Sequence, residues 1–148
     1  LDLAYDYLGE AALMDLHDLA HNVRDGVHMA SLAGAWTALV SGFGGMRLQN
    51  GSISFAPRLP DKIERLAFHL LFRGCRLRVE VTAKEATYRL LDGSPLKVLH
   101  HGEEILLPVG EAVSRSIPLI QAGPRPTQPP GRAPVAREER ARSAETPT

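Results

Sequence analysis

An α+β fold is what this sequence predicts: a helical N-terminal third, then a small antiparallel β-sheet or sandwich, then a disordered tail. Three observations carry that expectation. Apolar residues recur at helical spacing as far as Val40, the pattern switches to strict alternation after Met46, and seven of the eleven prolines lie beyond Gly110.

Leu1, Ala4, Tyr5, Leu8, Ala11, Ala12, Asp15 and Leu16 fall on neighbouring helical turns, with Asp2, Asp6 and Glu10 on another side. This predicts a first helix from Leu1 to about Leu16. The run from Asp15 to Arg24, rich in Asp, Asn and His, reads as the loop that follows it. Asp25 and Gly26 make a turn, and a second helix begins near His28 and Ser31. Met29, Leu32, Trp36, Leu39 and Val40 form its apolar stripe, with Trp36 read as core and Gly42 as the C-terminal cap.

From Met46 the period is two. Asn50-Gly51 joins the short runs before Gln49 and after Ser52, and Asn-Gly in that position is a strong hairpin signal. Leu66, Phe68, Leu70 and Phe72 share one face, Gly74 turns the chain, and Leu77, Val79 and Val81 answer while Arg76, Arg78 and Glu80 point outward. Ala86, Tyr88 and Leu90 form the next strand, followed by the Asp92-Gly93-Ser94-Pro95 turn, Leu96 to Leu99, a turn at His101-Gly102, and Glu103 to Leu107. Such a meander reads as a sheet or small sandwich. Residues 111–148, rich in Pro and Arg, read as a disordered tail. The domain boundaries implied are 1–45, 46–110 and 111–148.

Composition narrows the function classes. A chain of 148 residues with 44% hydrophobic and 23% charged residues can bury one ordinary core. Its 17 basic and 17 acidic residues balance, so nothing points to a nucleic-acid or anionic-membrane partner. Cys75 stands alone, which excludes an internal disulfide and brings no zinc spacing with it; a cytoplasmic setting is the expectation. No apolar run is long enough to span a bilayer. The chain starts at Leu1 inside a helical pattern, which reads as a fragment with its upstream portion missing.

The candidate chemistry lies ahead of the Trp-bearing helix. A helix start offers unpaired N–H groups and a positive dipole end, and His28 with Ser31 could close a cradle there around an anion such as phosphate. Each has a plainer reading beside it: a buried hydrogen-bonding histidine and a helix-capping serine. The glycines from Gly42 to Gly45 match no nucleotide-binding spacing and read as turn geometry. His100 and His101 are too close in sequence to chelate one metal and read as exposed; Arg73, Arg76 and Arg78 read as a solvated face.

The run Asp25, Gly26, Val27, His28, then Ala30 and Ser31, then Gly34, Trp36 and Gly42 to Arg47, followed by Pro57, Leu59 and Pro60, resembles the C-terminal part of glycoside hydrolase family 65. That family holds the maltose, trehalose and kojibiose phosphorylases and related hydrolases. The resemblance implies that the helices are the last of an (α/α)6 barrel, ahead of a C-terminal β-domain. It also implies inverting phosphorolysis of an α-linked glucosyl disaccharide, giving β-glucose 1-phosphate, with His28 and Ser31 as phosphate ligands. Inorganic phosphate would be the co-substrate, with no cofactor or metal and a homodimer as the full-length state. The family's general-acid Glu lies upstream and Glu10 does not match its motif, so no catalytic residue is expected in this chain, which alone should be inactive. No Glu or Asp lies between Gly26 and Arg47 to serve as a hydrolytic base, which favours phosphorolysis. The alternatives are an inverting α-glucoside hydrolase and a noncatalytic β-sheet accessory or carbohydrate-binding module.

Overall fold

The computed structural model describes residues 1–13, 29–119, 123–124, 126–129 and 131–134. Two compact units emerge: Thr37–Gln121 is one, and Leu1–Trp36 with Ala122–Thr148 is the other.

In the smaller unit, α1 spans Asp2–Ala12 and α2 spans Met29–Thr37, its last residue reaching the larger unit. The predicted end of the first helix at Leu16 and the loop to Arg24 lie outside the described residues. Asp6, expected on the polar side of α1, is buried together with Leu8. Trp36, expected in the core, is 49% exposed, and Met29 and Leu32 are exposed beside it. The stripe that the sequence marks as apolar is bare at Met29, Leu32 and Trp36 and becomes buried only at its far end, at Val40.

The larger unit opens with a π-helical segment, Ala38–Phe43, whose C-cap is Gly44. The expected cap, Gly42, sits inside that segment. Packing explains the shift. A Cβ on Gly44 would stand 2.5 Å from the Val40 carbonyl oxygen and against the Phe68 ring, and Gly45 takes φ +63° directly against the Ala56 backbone. The chain can turn out of the helix only where no side chain obstructs it. Val40 and Phe43 are buried by this tight exit.

Eight strands follow: β1 (Arg47–Gln49), β2 (Ser52–Phe55), β3 (Arg65–Phe72), β4 (Cys75–Thr82), β5 (Glu85–Asp92), β6 (Leu96–His100), β7 (Glu103–Leu107) and β8 (Ala112–Ser116). They form two four-stranded sheets, ordered β1-β2-β6-β7 and β3-β4-β5-β8. Three hairpins close through two-residue loops with both residues at positive φ: Asn50-Gly51, Arg73-Gly74 and His101-Gly102. That is the turn geometry that matches strand twist. The meander is broken twice. β2 pairs with β6 in parallel, and β8 returns to pair with β5 beyond Gly110, where alternation in the sequence had given no strand.

Alternation sets the core. Ile53, Phe55, Val98, Ile105 and Leu107 from the first sheet, and Leu77, Val79, Val81, Ala86, Tyr88 and Leu90 from the second, are each at most 3% exposed. Phe55 and Tyr88 meet with ring centroids 5.2 Å apart, joining the two layers as a sandwich. Pro57 and Pro60 are fully buried at its edge.

Candidate functional site

Of the two predicted phosphate ligands, His28 lies outside the described residues. Ser31 is in the first turn of α2 and part-buried, and its hydroxyl donates to the Ala11 carbonyl oxygen at 2.5 Å. Ala11 is in the last turn of α1, where carbonyls lack partners within their own helix. The serine therefore caps the end of the preceding helix rather than the start of its own. Its one proton is engaged there, while its lone pairs remain free to accept; donating to an anion requires exchanging Ala11 for that anion. The turn glycines behave as read: Gly45 supplies positive φ at the helix exit, with no nucleotide-type loop around it.

The polar centre that the sequence reading missed is inside the sandwich. His100, expected at the surface, is 3% exposed. Its Nδ1 lies 2.7 Å from the Tyr88 hydroxyl and its Nε2 lies 3.0 Å from the Ser116 carbonyl oxygen. A carbonyl only accepts, so Nε2 carries the proton, which leaves Nδ1 to accept from the Tyr88 hydroxyl. Burial pushes the Tyr88 phenol well above its usual range, which keeps that donor in place. His101 packs edge-on against His100, centroids 4.7 Å apart, with φ +47° at the head of its hairpin. Its Nε2 is buried without a hydrogen bond among the described residues. Loss of solvent is the largest cause holding His101 below its ordinary 6.5, with His100 and Arg58 adding to it. The signal was present: Leu96, Val98 and His100 share a strand phase, as do Ala86, Tyr88 and Leu90, and a buried phenol needs a partner. This trio ties β5, β6 and β8 together, a structural task with no access for substrate.

The outer face of the second sheet holds the other charged cluster. Arg65 meets Glu80 through Nε at 2.7 Å and through its second nitrogen at 3.0 Å, and Arg78 reaches the same carboxylate at 3.1 Å. These two guanidiniums hold the Glu80 carboxyl down at about 2. Among the described residues, no group of three or more His, Cys, Asp or Glu is placed to hold a metal ion, and no helix is long and apolar enough to cross a membrane.

Residues 46–107 match the C-terminal domain of glycosyl hydrolase family 65. An uncharacterised glycosyl hydrolase of Mycobacterium leprae is 51% identical over 146 residues, 95% of this chain and 18% of that protein. An alpha,alpha-trehalose phosphorylase of Thermoanaerobacter brockii is 42% identical over 110 residues, 74% of this chain and 14% of that protein. A solved structure provisionally named as a kojibiose phosphorylase from the human microbiome superposes with a TM-score of 0.68 at 25% identity, covering 74% of this chain and 15% of its own. The chain thus spans under a fifth of the length of each of these relatives.

Proposed function

We propose, on the premise that this chain belongs to glycosyl hydrolase family 65, that it is the C-terminal part of an inverting α-glucoside phosphorylase. The complete protein cleaves an α-linked glucosyl disaccharide with inorganic phosphate, releasing β-glucose 1-phosphate. A carboxylic acid outside this chain protonates the leaving oxygen while phosphate attacks the anomeric carbon from the opposite face. Here α1 and α2 supply the last helices of a barrel, and His28, just ahead of α2, and Ser31, in its first turn, serve the phosphate. The sandwich carries no catalytic group, so the 148 residues alone are inactive.

One observation carries the reading: the stretch around the proposed phosphate ligands, Gly26 to Arg47, contains no carboxylate to act as a hydrolytic base, so a hydrolase would need a base from elsewhere. Relatives at 34–42% identity bear the names trehalose, maltose and kojibiose phosphorylase, which supports the same choice. The exposed Met29, Leu32 and Trp36 support a barrel role, since a bare apolar stripe of this kind calls for helical neighbours.

A second reading, an inverting hydrolase, is favoured by the 51%-identical mycobacterial relatives, which bear the name glycosyl hydrolase. The complete gene product incubated with maltose, trehalose or kojibiose, with and without phosphate, separates the two. Phosphate-dependent release of β-glucose 1-phosphate is expected, and equal glucose release in both conditions would overturn the reading. In that enzyme, His28→Ala and Ser31→Ala should raise the KM for phosphate about tenfold or more, the loss of one charge-assisted hydrogen bond, and leave disaccharide binding unchanged. An unchanged phosphate KM removes that residue from the site.

A further inference from the structure

The strand register places Arg78 directly opposite Arg89 across β4 and β5. Directly paired side chains in a sheet stand about 5 Å apart at Cβ, and like charges there oppose folding. On the other flank, His69 of β3 pairs with Arg78, so one row across three strands carries His69, Arg78 and Arg89. Of the flanking rows, one holds Glu80, already shared by Arg65 and Arg78, and the other sets Asp92 opposite Arg76. Arg89 has no ion pair or side-chain hydrogen bond among the described residues. Counting Arg65, Arg78 and Arg89 against Glu80 and against Glu85, whose carboxylate accepts a 3.4 Å hydrogen bond from the Thr87 hydroxyl, leaves one uncompensated positive charge in the cluster.

Arg78, Glu80 and Arg89 line, together with Thr87 and Leu91, an open cleft of about 400 Å³. Its register explains its shape: β5 bulges at Leu91, between the Leu77–Leu90 and Arg76–Asp92 pairs. Bulges twist a strand and re-aim its side chains. Thr87 is held toward β8 by a 2.8 Å hydrogen bond between its hydroxyl and that of Ser114, and Leu91 gives the cleft an apolar wall.

We propose that this outer cleft binds a small organic phosphomonoester, the phosphate taken by the Arg89 and Arg78 guanidiniums and the organic body lying along Leu91. Two guanidinium forks present more donors than the two oxygens of one carboxylate can use in bidentate fashion, whereas a phosphate offers three terminal oxygens. A volume of this size lies in the range of small-ligand sites and exceeds what a bare anion fills. The site is separate from the His28 and Ser31 proposal and does not depend on it.

Equilibrium dialysis of the complete gene product tests the assignment, with labelled glucose 6-phosphate as the probe and inorganic phosphate and malonate as alternatives. Glucose 6-phosphate should bind the wild type, and Arg89→Gln should weaken it by about tenfold or more. Ser31→Ala should leave that binding untouched, which keeps this site distinct from the catalytic phosphate. Because the Arg89 side chain has no ion pair or hydrogen bond among the described residues and stands opposite Arg78, Arg89→Gln should melt no lower than the wild type. Equal binding to wild type and Arg89→Gln would overturn the proposal, as would a loss of binding accompanied by a lower melting temperature. Inorganic phosphate or malonate binding at this cleft as tightly as glucose 6-phosphate would overturn the organic phosphomonoester assignment.

Discussion

Replacing Tyr88 with Phe removes one oxygen atom from the centre of the sandwich and almost nothing else. The ring keeps its place against Phe55, at 5.2 Å, so the apolar packing survives. What disappears is the donor to His100 Nδ1. That nitrogen is buried, and the histidine cannot answer by moving its proton, since Nε2 would then present a lone pair to the Ser116 carbonyl. Removing one partner of a buried hydrogen bond costs the desolvation of the acceptor left behind, about 1–3 kcal/mol. We expect about 2 kcal/mol, or roughly a 10 °C fall in melting temperature for a unit of this size. Urea unfolding followed by near-ultraviolet circular dichroism measures it, and a double-mutant cycle with His100→Leu isolates the pair. A loss below about 0.5 kcal/mol, or strictly additive effects in the cycle, would refute the donor assignment.

Further outcomes follow from the same structure. Leu77 is fully buried, and Leu77→Ala should cost about 3 kcal/mol in the same unfolding assay, the cost of lost transfer plus an unfilled cavity. Gly45→Ala sets a methyl group against the Ala56 backbone at a positive φ, and a loss above about 2 kcal/mol is expected in thermal melts. Acid should act in two stages. His101 is held below its ordinary 6.5, so its share of stability is complete above that pH and is lost as pH falls through the lower folded value. Glu80 is held at about 2 against an ordinary 4.5, so its share is lost between those two values. Urea midpoints measured against pH should show both limbs, the first flattened by His101→Asn and the second by Glu80→Gln and by added salt.

The hairpins were legible because their signals are local. Asn50-Gly51 and the alternating runs on either side of Gly74 and Gly102 fix turn and register within a few residues, and the structure forms the strands where those runs lie. Long-range pairing carries no such local mark. The parallel contact of Ser54 with Leu99 and of Phe55 with His100 brings together segments more than forty positions apart. β8 hid for a different reason: Ala112, Ser114 and Ser116 supply no hydrophobic alternation, and only the open edge of β5 organises them. Trp36 was misplaced because helical spacing tells which face is apolar and not whether this chain provides its cover. Of the candidate site, sequence named Ser31 but not its partner, since the Ala11 carbonyl is a backbone group with no sequence signature.

The polar trio also says where the sandwich ends. The family match closes at residue 107, but the Nε2 proton of His100 goes to Ser116, nine positions later. β8 covers the edge of β5 through five register pairs, from Glu85 with Ser116 to Arg89 with Ala112. Without that strand β5 would present its open backbone to solvent, and a buried imidazole would keep a donor with no acceptor. The Ile117 N–H bond to the Lys84 carbonyl then pins the chain just past the strand. The folding unit therefore runs through Ile117, and its last strand is held by one histidine in the core as well as by its own ladder. A segment of small polar residues, weak by propensity, is ordered because the interior needs its carbonyl.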